Sequence, residues 1–347
     1  MNAATARRPR AQDARLLVID ESGRLFDRKH RDLPWLLRRG DLVVANDAAT
    51  LPASLSGVHV QSGEPLEIRL AGRPLPFDNA TRFIAVVFGA GDYRTRTEDR
   101  PAPPVLHIGD ALRVASLHAR VVDIKGHARL IELAFEHPAD VMWEALARNG
   151  RPIQYAHVPQ PLALWDTWTS VAAQPVAFEA PSAGFILDWS MLGELRRHGM
   201  RFATLTHAAG ISSTGDPGLD ARLPLDEPYF IPASTATLIE TTRAAGGRVI
   251  ALGTTVVRAL EHAARDTGHV APGRGLATGR IGAATQLRVV DAIISGVHEP
   301  GTSHYDLLSA FHTDAVIARM WEEAEKHHYL AHEFGDAVVI LRHGVRS

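Results

Sequence analysis

The chain has no cysteine. Disulfides, thiolate metal ligands, a cysteine nucleophile and iron–sulfur clusters are therefore excluded. Lysine is scarce as well. Lys29, Lys125 and Lys326 are the only lysines among 37 basic residues, and the other 34 are arginine. GC-rich coding gives the same skew, so it does not by itself mark phosphate recognition. No apolar run is long enough to span a bilayer, and the N-terminus has no signal-peptide h-region. A cytoplasmic protein with no membrane partner is expected. A net charge of −2 means that the molecule as a whole does not attract polyanions. Several motifs are missing too. Without Gly-x-Gly-x-x-Gly after a strand, Gly-x-Ser-x-Gly or His-Glu-x-x-His, the dinucleotide, serine-hydrolase and zincin readings lose support. His328 and His332 stand four apart beside Glu333 and read as solvated helix histidines. No metal site is assigned.

What is present suggests about two domains: 347 residues, 46% apolar and 22% charged. Residues 1–40 hold ten Lys/Arg against five Asp/Glu. Arg7, Arg8 and Arg10 sit in an arm, residues 1–13, expected to be disordered. Such an arm is either a solvated tail or a contact for nucleic-acid phosphates. Strands are expected at Arg15–Asp20 and Asp41–Ala45. From about Ser56 short apolar or alternating runs recur at Pro65–Leu70, Thr81–Phe88, Ala111–Val114, His118–Val122 and Arg129–Phe135, punctuated by Gly, Pro and Asp. That spacing suggests a small antiparallel β-barrel. After Pro138 helices are expected at Val141–Ala147, Ser190–His198, Ala233–Ala245 and Ala315–His327, with strands at Phe202–Thr206 and Ala337–Leu341. The fold class expected is α/β. A discontinuous α/β domain, residues 1–56 and 138–347, carries an inserted barrel at 57–137.

The most informative stretch is GGRVIALGTTVVRALEHAA, Gly246–Ala264. Val249–Leu252 reads as a buried strand, Gly253-Thr254-Thr255 as the turn, and Val256–Ala264 as a helix that Thr254 or Thr255 can N-cap. Bare N–H groups at such a mouth suit carboxylates and phosphates, and ligands favour the carboxyl ends of strands in α/β sheets. An ordinary strand–helix junction has the same pattern. Four more patches stand out. Asn46-Asp47 follows a strand, either as an Asx-turn or as ligand contacts. EAPSAGF, Glu179–Phe185, is a small-residue loop suited to close backbone approach. LDEPYF pairs Glu227 with Tyr229. SGVHEPGTSHYDLLSAF, Ser295–Phe311, is rich in histidine and hydroxyls. Each taken singly also fits turn chemistry.

Read in order, these patches resemble the S-adenosylmethionine:tRNA ribosyltransferase-isomerases of queuosine biosynthesis, from about Arg15 to Leu341. The resemblance is carried by GGRVIALGTTVVRALE, RRGDLVVANDAATLPASL, APSAG, VVDAIISGVHEPGTSHYDLLSAF and FGDAVVIL. It implies an α/β domain with an inserted β-barrel. The implied reaction moves and isomerises the ribosyl part of S-adenosylmethionine onto 7-aminomethyl-7-deazaguanine in a tRNA anticodon loop. The products would be epoxyqueuosine, adenine and methionine. S-adenosylmethionine enters as co-substrate, tRNA is the implied partner, and oligomeric state is left open.

Several polar positions depart from the family pattern. Ala49 and Ser54 stand where the family carries two arginines, and Ile186 where it carries His. His207 falls one place later than the family imidazole, and Pro224–Glu227 keeps only the acid of Met-His-x-Glu. Gly253, Thr254, Thr255, Arg258, Glu261, Tyr329, Gly335 and Asp336 all fit. Losing Arg removes a planar anion donor, and losing His removes a proton carrier. Two function classes therefore follow. One is the family enzyme. The other is a diverged paralogue with a different acceptor, or a non-catalytic nucleic-acid or ligand-binding protein on the same scaffold. The resemblance makes Glu227 or His298 the candidate base. It makes Asn46, Asp47, Ser182, Gly184, Tyr229, Gly253, Thr254, Thr255 and Arg258 candidate substrate contacts. Arg258 either meets an anion or bridges Glu261 at i, i+3.

Overall fold

The computed structural model describes residues 1–8, 11–74 and 80–344. Short apolar runs such as Leu42–Asn46, Val249–Leu252 and Ala292–Gly296 build the centre of a nine-stranded mixed sheet. Its order is Gly273–Ala277, Glu227–Ile231, Arg201–His207, Leu42–Asn46, Val249–Leu252, Ala292–Gly296, Ala337–Leu341, Arg15–Ile19 and Leu25–Lys29. The strands from Arg201–His207 through Ala292–Gly296 are mutually parallel. They read as unbroken apolar runs because both faces are covered. Leu42, Val44, Val249, Ala251 and Ile293 face one core, packed with Ile239, Val257, Leu260, Ile317 and Met320 from three helices. Val43, Ala45, Ile250, Leu252, Ala292 and Ile294 face the other, with Leu33, Met191 and Leu195.

The chain leaves the carboxyl end of Leu42–Asn46 and enters a closed six-stranded antiparallel barrel. The barrel order is Leu117–His127, Leu130–Phe135, Arg82–Phe88, Pro65–Gly72, Ser54–His59 and Ala111–Val114. Alternate residues fill its interior, among them Leu66, Ile68, Leu70, Phe83, Ala85 and Val87. Its first strand starts at Ser54, slightly before the expected boundary at 57. The barrel therefore hangs over the carboxyl edge of the parallel strands, where α/β sheets place their ligands.

The first residues do not form the free arm expected from their composition. Asn2–Ala3 pairs in parallel with Leu330–Ala331, and Ala4 is buried. Arg8 Nη2 lies 2.5 Å from Asp336 Oδ1, and the Arg7 guanidinium stacks 4.8 Å over Phe185. Backbone pairing and two anchored guanidiniums hold a segment whose composition alone reads as solvated. Arg10 lies outside the described residues.

Candidate active site

The turn after Val249–Leu252 sets the site. Gly253 has φ +94°, a left-handed conformation that costs glycine little. With it the chain passes directly from strand to helix, so Thr254 is the first helical residue. The expected threonine N-cap is thereby replaced by Gly253, and no side chain caps the helix. The first N–H groups of Thr254–Ala263 are left to face a cavity. A Cβ on Gly253 would lie 3.2 Å from Ala183 Cβ, so the EAPSAGF loop packs against the turn.

That cavity brings together Ser182, Glu227, Gly253, Thr254, Thr255, Arg258 and His298. It adjoins a second, lined by Tyr155, Glu179, Ser212, His304, His332 and Glu333, and a third beneath Arg7 and Arg8. Ser182 borders all three, and the third measures about 570 Å³. The other four expected contacts lie outside their walls. Asn46 is buried. Its Oδ1 accepts from the N–H groups of Ala48 and His207, and its Nδ2 donates to the His207 carbonyl. It thus closes an Asx-turn and splices two strands, with one weaker contact, 3.3 Å, to Thr255 Oγ1. Asp47 Oδ1 accepts from Thr206 Oγ1. Gly184 is buried against Thr169, where a Cβ would sit 2.8 Å from Thr169 Cγ2. The Tyr229 ring fills the space that Gly275 leaves, and its hydroxyl lies 3.0 Å from His262 Nδ1.

Charge in the cavity is arranged in pairs. Arg258 Nη1 donates to Glu227 Oε2, and Nη2 donates to the carbonyls of Leu225 and Ala277. Glu227 Oε1 accepts from the Gly210 N–H at 2.6 Å. The alternative pairing of Arg258 with Glu261 does not form. Glu261 turns away and accepts from the N–H groups of Arg288, Val289 and Val290. Burial raises the Glu227 carboxyl, against the opposing pull of Arg258. His207 is fully buried, and both ring nitrogens lack a hydrogen-bond partner. Its Nε2 stands 3.6 Å from Glu227 Oε2, and burial beside Arg258 pushes its pKa down to about 3.

His298 Nε2 shares a hydrogen bond with Ser295 Oγ at 3.0 Å. Its ring stacks on His304 with centroids 4.9 Å apart. Desolvation lowers both imidazoles, His304 to about 4, and keeps them neutral. Glu179 stands out as a site residue beyond the expected set. Tyr155 Oη donates to it, and desolvation raises its carboxyl to about 7. The EAPSAGF patch was a loop signal only, and its acid lacked a legible partner because Tyr155 and Ser212 come from other segments. His328 and His332 are not helical neighbours. The helix ends at Lys326, and both residues have positive φ. His332 instead stacks on His157 at 4.3 Å. Among the described residues no group of three or more His, Asp or Glu is placed to hold a metal.

Comparison with known proteins matches residues 1–340 to the family described as "Queuosine biosynthesis protein". The chain belongs to this family. Curated queuosine-family relatives bear the name S-adenosylmethionine:tRNA ribosyltransferase-isomerase. The one from Thiobacillus denitrificans is 35% identical, covering 94% of this chain and 90% of the relative. That from Methylobacterium radiotolerans is 32% identical over the same shares. The S-adenosylmethionine tRNA ribosyltransferase of Thermotoga maritima has the same fold. Its crystal structure matches with a TM-score of 0.52 at 22% identity, covering 98% of this chain and 96% of that one. At the positions expected to depart from the family pattern, Ala49 and Ile186 are buried, Ile186 borders the third cavity, and Ser54 Oγ donates to Glu67 Oε1 at 2.8 Å.

Proposed function

We propose that this chain is an S-adenosylmethionine:tRNA ribosyltransferase-isomerase. The acceptor is 7-aminomethyl-7-deazaguanine in a tRNA anticodon loop, and the products are epoxyqueuosine in tRNA, adenine and methionine. One observation carries the reading. An uncapped helix mouth, Gly253–Thr255, opens into the cavity that also holds Arg258, Glu227, Ser182 and His298, in a chain that matches the family along its length. Such a mouth suits the methionine carboxylate of S-adenosylmethionine.

The chemistry needs a base for the acidic proton on the ribose carbon beside the sulfonium. Of the two candidates, His298 is the better placed. It is neutral, it lines the cavity, and Ser295 fixes its ring. Both Glu227 oxygens are committed to Arg258 and Gly210, so Glu227 acts by holding the guanidinium against the cavity wall. His298→Ala is expected to lower kcat about 10²–10⁴-fold, and Glu227→Gln to act mainly on KM. Unchanged turnover in His298→Ala would remove the first role, and an unchanged KM in Glu227→Gln the second.

The residues Ala49, Ser54 and Ile186, where the family resemblance leads one to expect Arg, Arg and His, favour a second reading, a diverged paralogue with another acceptor. Adenine release from S-adenosylmethionine, with and without tRNA bearing the 7-aminomethyl-7-deazaguanine base, separates the two. Release only with that tRNA, with the matching mass gain on the RNA, is expected. Binding of S-adenosylmethionine without release would favour the paralogue.

A further inference from the structure

Three carboxyls line the two adjoining cavities: Glu227, Glu333 and Glu179. Glu227 is paired with Arg258. Glu333 Oε2 lies 2.7 Å from His157 Nε2. Among the described residues Glu179 has no cationic partner. Its neighbours are the Tyr155 hydroxyl and Ser212. A half-buried carboxyl in a cavity wall without a countercharge is costly as an anion, and a cationic ligand group would relieve it. Its position is equally specific. Glu179 borders both the cavity of the helix mouth and the neighbouring one.

This inference rests on the function proposed above. We propose that Glu179 binds the aminomethyl group of the acceptor base and takes its proton before attack. The acceptor arrives as a primary ammonium, which has no lone pair to give. One N–H bond breaks, and its electron pair stays on nitrogen. The proton moves to a Glu179 carboxylate oxygen, and the freed pair forms the new bond to the ribosyl carbon, which adenine leaves with the electron pair of its own C–N bond. Glu179 later returns the proton to solvent.

The surroundings suit this role. Desolvation and the nearby Glu333 hold the Glu179 carboxyl near 7, so it passes between acid and anion at neutral pH. Tyr155 stays protonated, its pKa pushed up by burial and by Glu179 itself. His298 and His304 across the cavity are neutral, so neither places a positive charge against the incoming ammonium. Burial lowers His332 on the far wall, and Arg258 is already held by Glu227.

Glu179→Gln tests the proposal, because the amide keeps the shape and still accepts from Tyr155. Ribosyl transfer to tRNA carrying the base would be followed from about pH 5.5 to 10, with S-adenosylmethionine affinity measured by calorimetry on the same protein. Wild-type kcat/KM is expected to fall about tenfold per pH unit below about 7. The Gln variant should be down about 10²–10⁴-fold at neutral pH, without that inflection. It should recover toward pH ~10, where the amine loses its proton to water. Its affinity for S-adenosylmethionine should not change. Wild-type rates in the variant, a loss equal at every pH, or weakened S-adenosylmethionine binding would each overturn the role while leaving the proposed function intact. A wild-type protein inert on this tRNA at every pH would overturn the function, and this role with it.

Discussion

Glu227 and Arg258 hold each other in the cavity wall, and removing one strands the other. Arg258→Ala is expected to cost about 3–5 kcal/mol in urea unfolding, because Glu227 is left as a buried, uncompensated carboxylate. A cost near zero would mean that Glu227 simply takes up a proton. His207 gives a second prediction. Its pKa is about 3 in the fold and 6.5 when unfolded, so the unfolded chain takes the proton first as pH falls. Stability from this group is complete above about pH 6.5 and erodes below it, reaching about 2 kcal/mol of loss at pH 5. His207→Gln should flatten that slope, and parallel slopes in the two proteins would refute it. At this scale the sequence was a partial guide. Ser182, Thr254, Thr255, Arg258 and His298 stood in recognisable patches. Asn46 and Tyr229 did not declare that their polar atoms are spent on His207 and His262. Glu179 was unreadable because its character comes from Tyr155, Ser212 and burial.

The strand–Gly–helix unit is where sequence and structure agree most closely. Val249–Leu252 was legible because a strand covered on both faces has to be apolar throughout. The helix start was misread because a left-handed glycine takes the N-cap position and turns the chain straight into the helix, leaving its first N–H groups uncapped. Glu227–Ile231 and Gly273–Ala277 escaped detection for a different reason. Pro228 breaks the donor pattern of the first, and two glycines dilute the second. Gly253→Ala should cost about 1–2 kcal/mol from the positive φ alone, and it presses a methyl toward Ala183. The expected readout is weaker S-adenosylmethionine binding in calorimetry with the fold retained. Unchanged affinity would argue against the helix mouth as an anchor.

Across the whole molecule, a net charge of −2 points to modest electrostatic attraction for RNA. Affinity for tRNA is expected to change less than about tenfold between ~50 and ~200 mM salt, measured by fluorescence anisotropy. A steep dependence would show that arginines do the phosphate work. The two-part architecture was legible because a barrel and a parallel sheet punctuate the sequence differently. The docking of residues 1–4 was not, since it depends on a partner strand at Leu330–Ala331, at the far end of the chain. The sheet order also fixes a timetable during synthesis. Residues 54–135 carry every barrel strand and can close while the ribosome is still at work. Leu42–Asn46, made earlier, must wait for both of its neighbours, Arg201–His207 and Val249–Leu252. Arg15–Ile19 can pair early with Leu25–Lys29, but its other edge waits longer still, for Ala337–Leu341. A nascent chain therefore carries a finished barrel above a sheet still missing its central strands, and the cavity at their carboxyl ends is among the last parts to take shape.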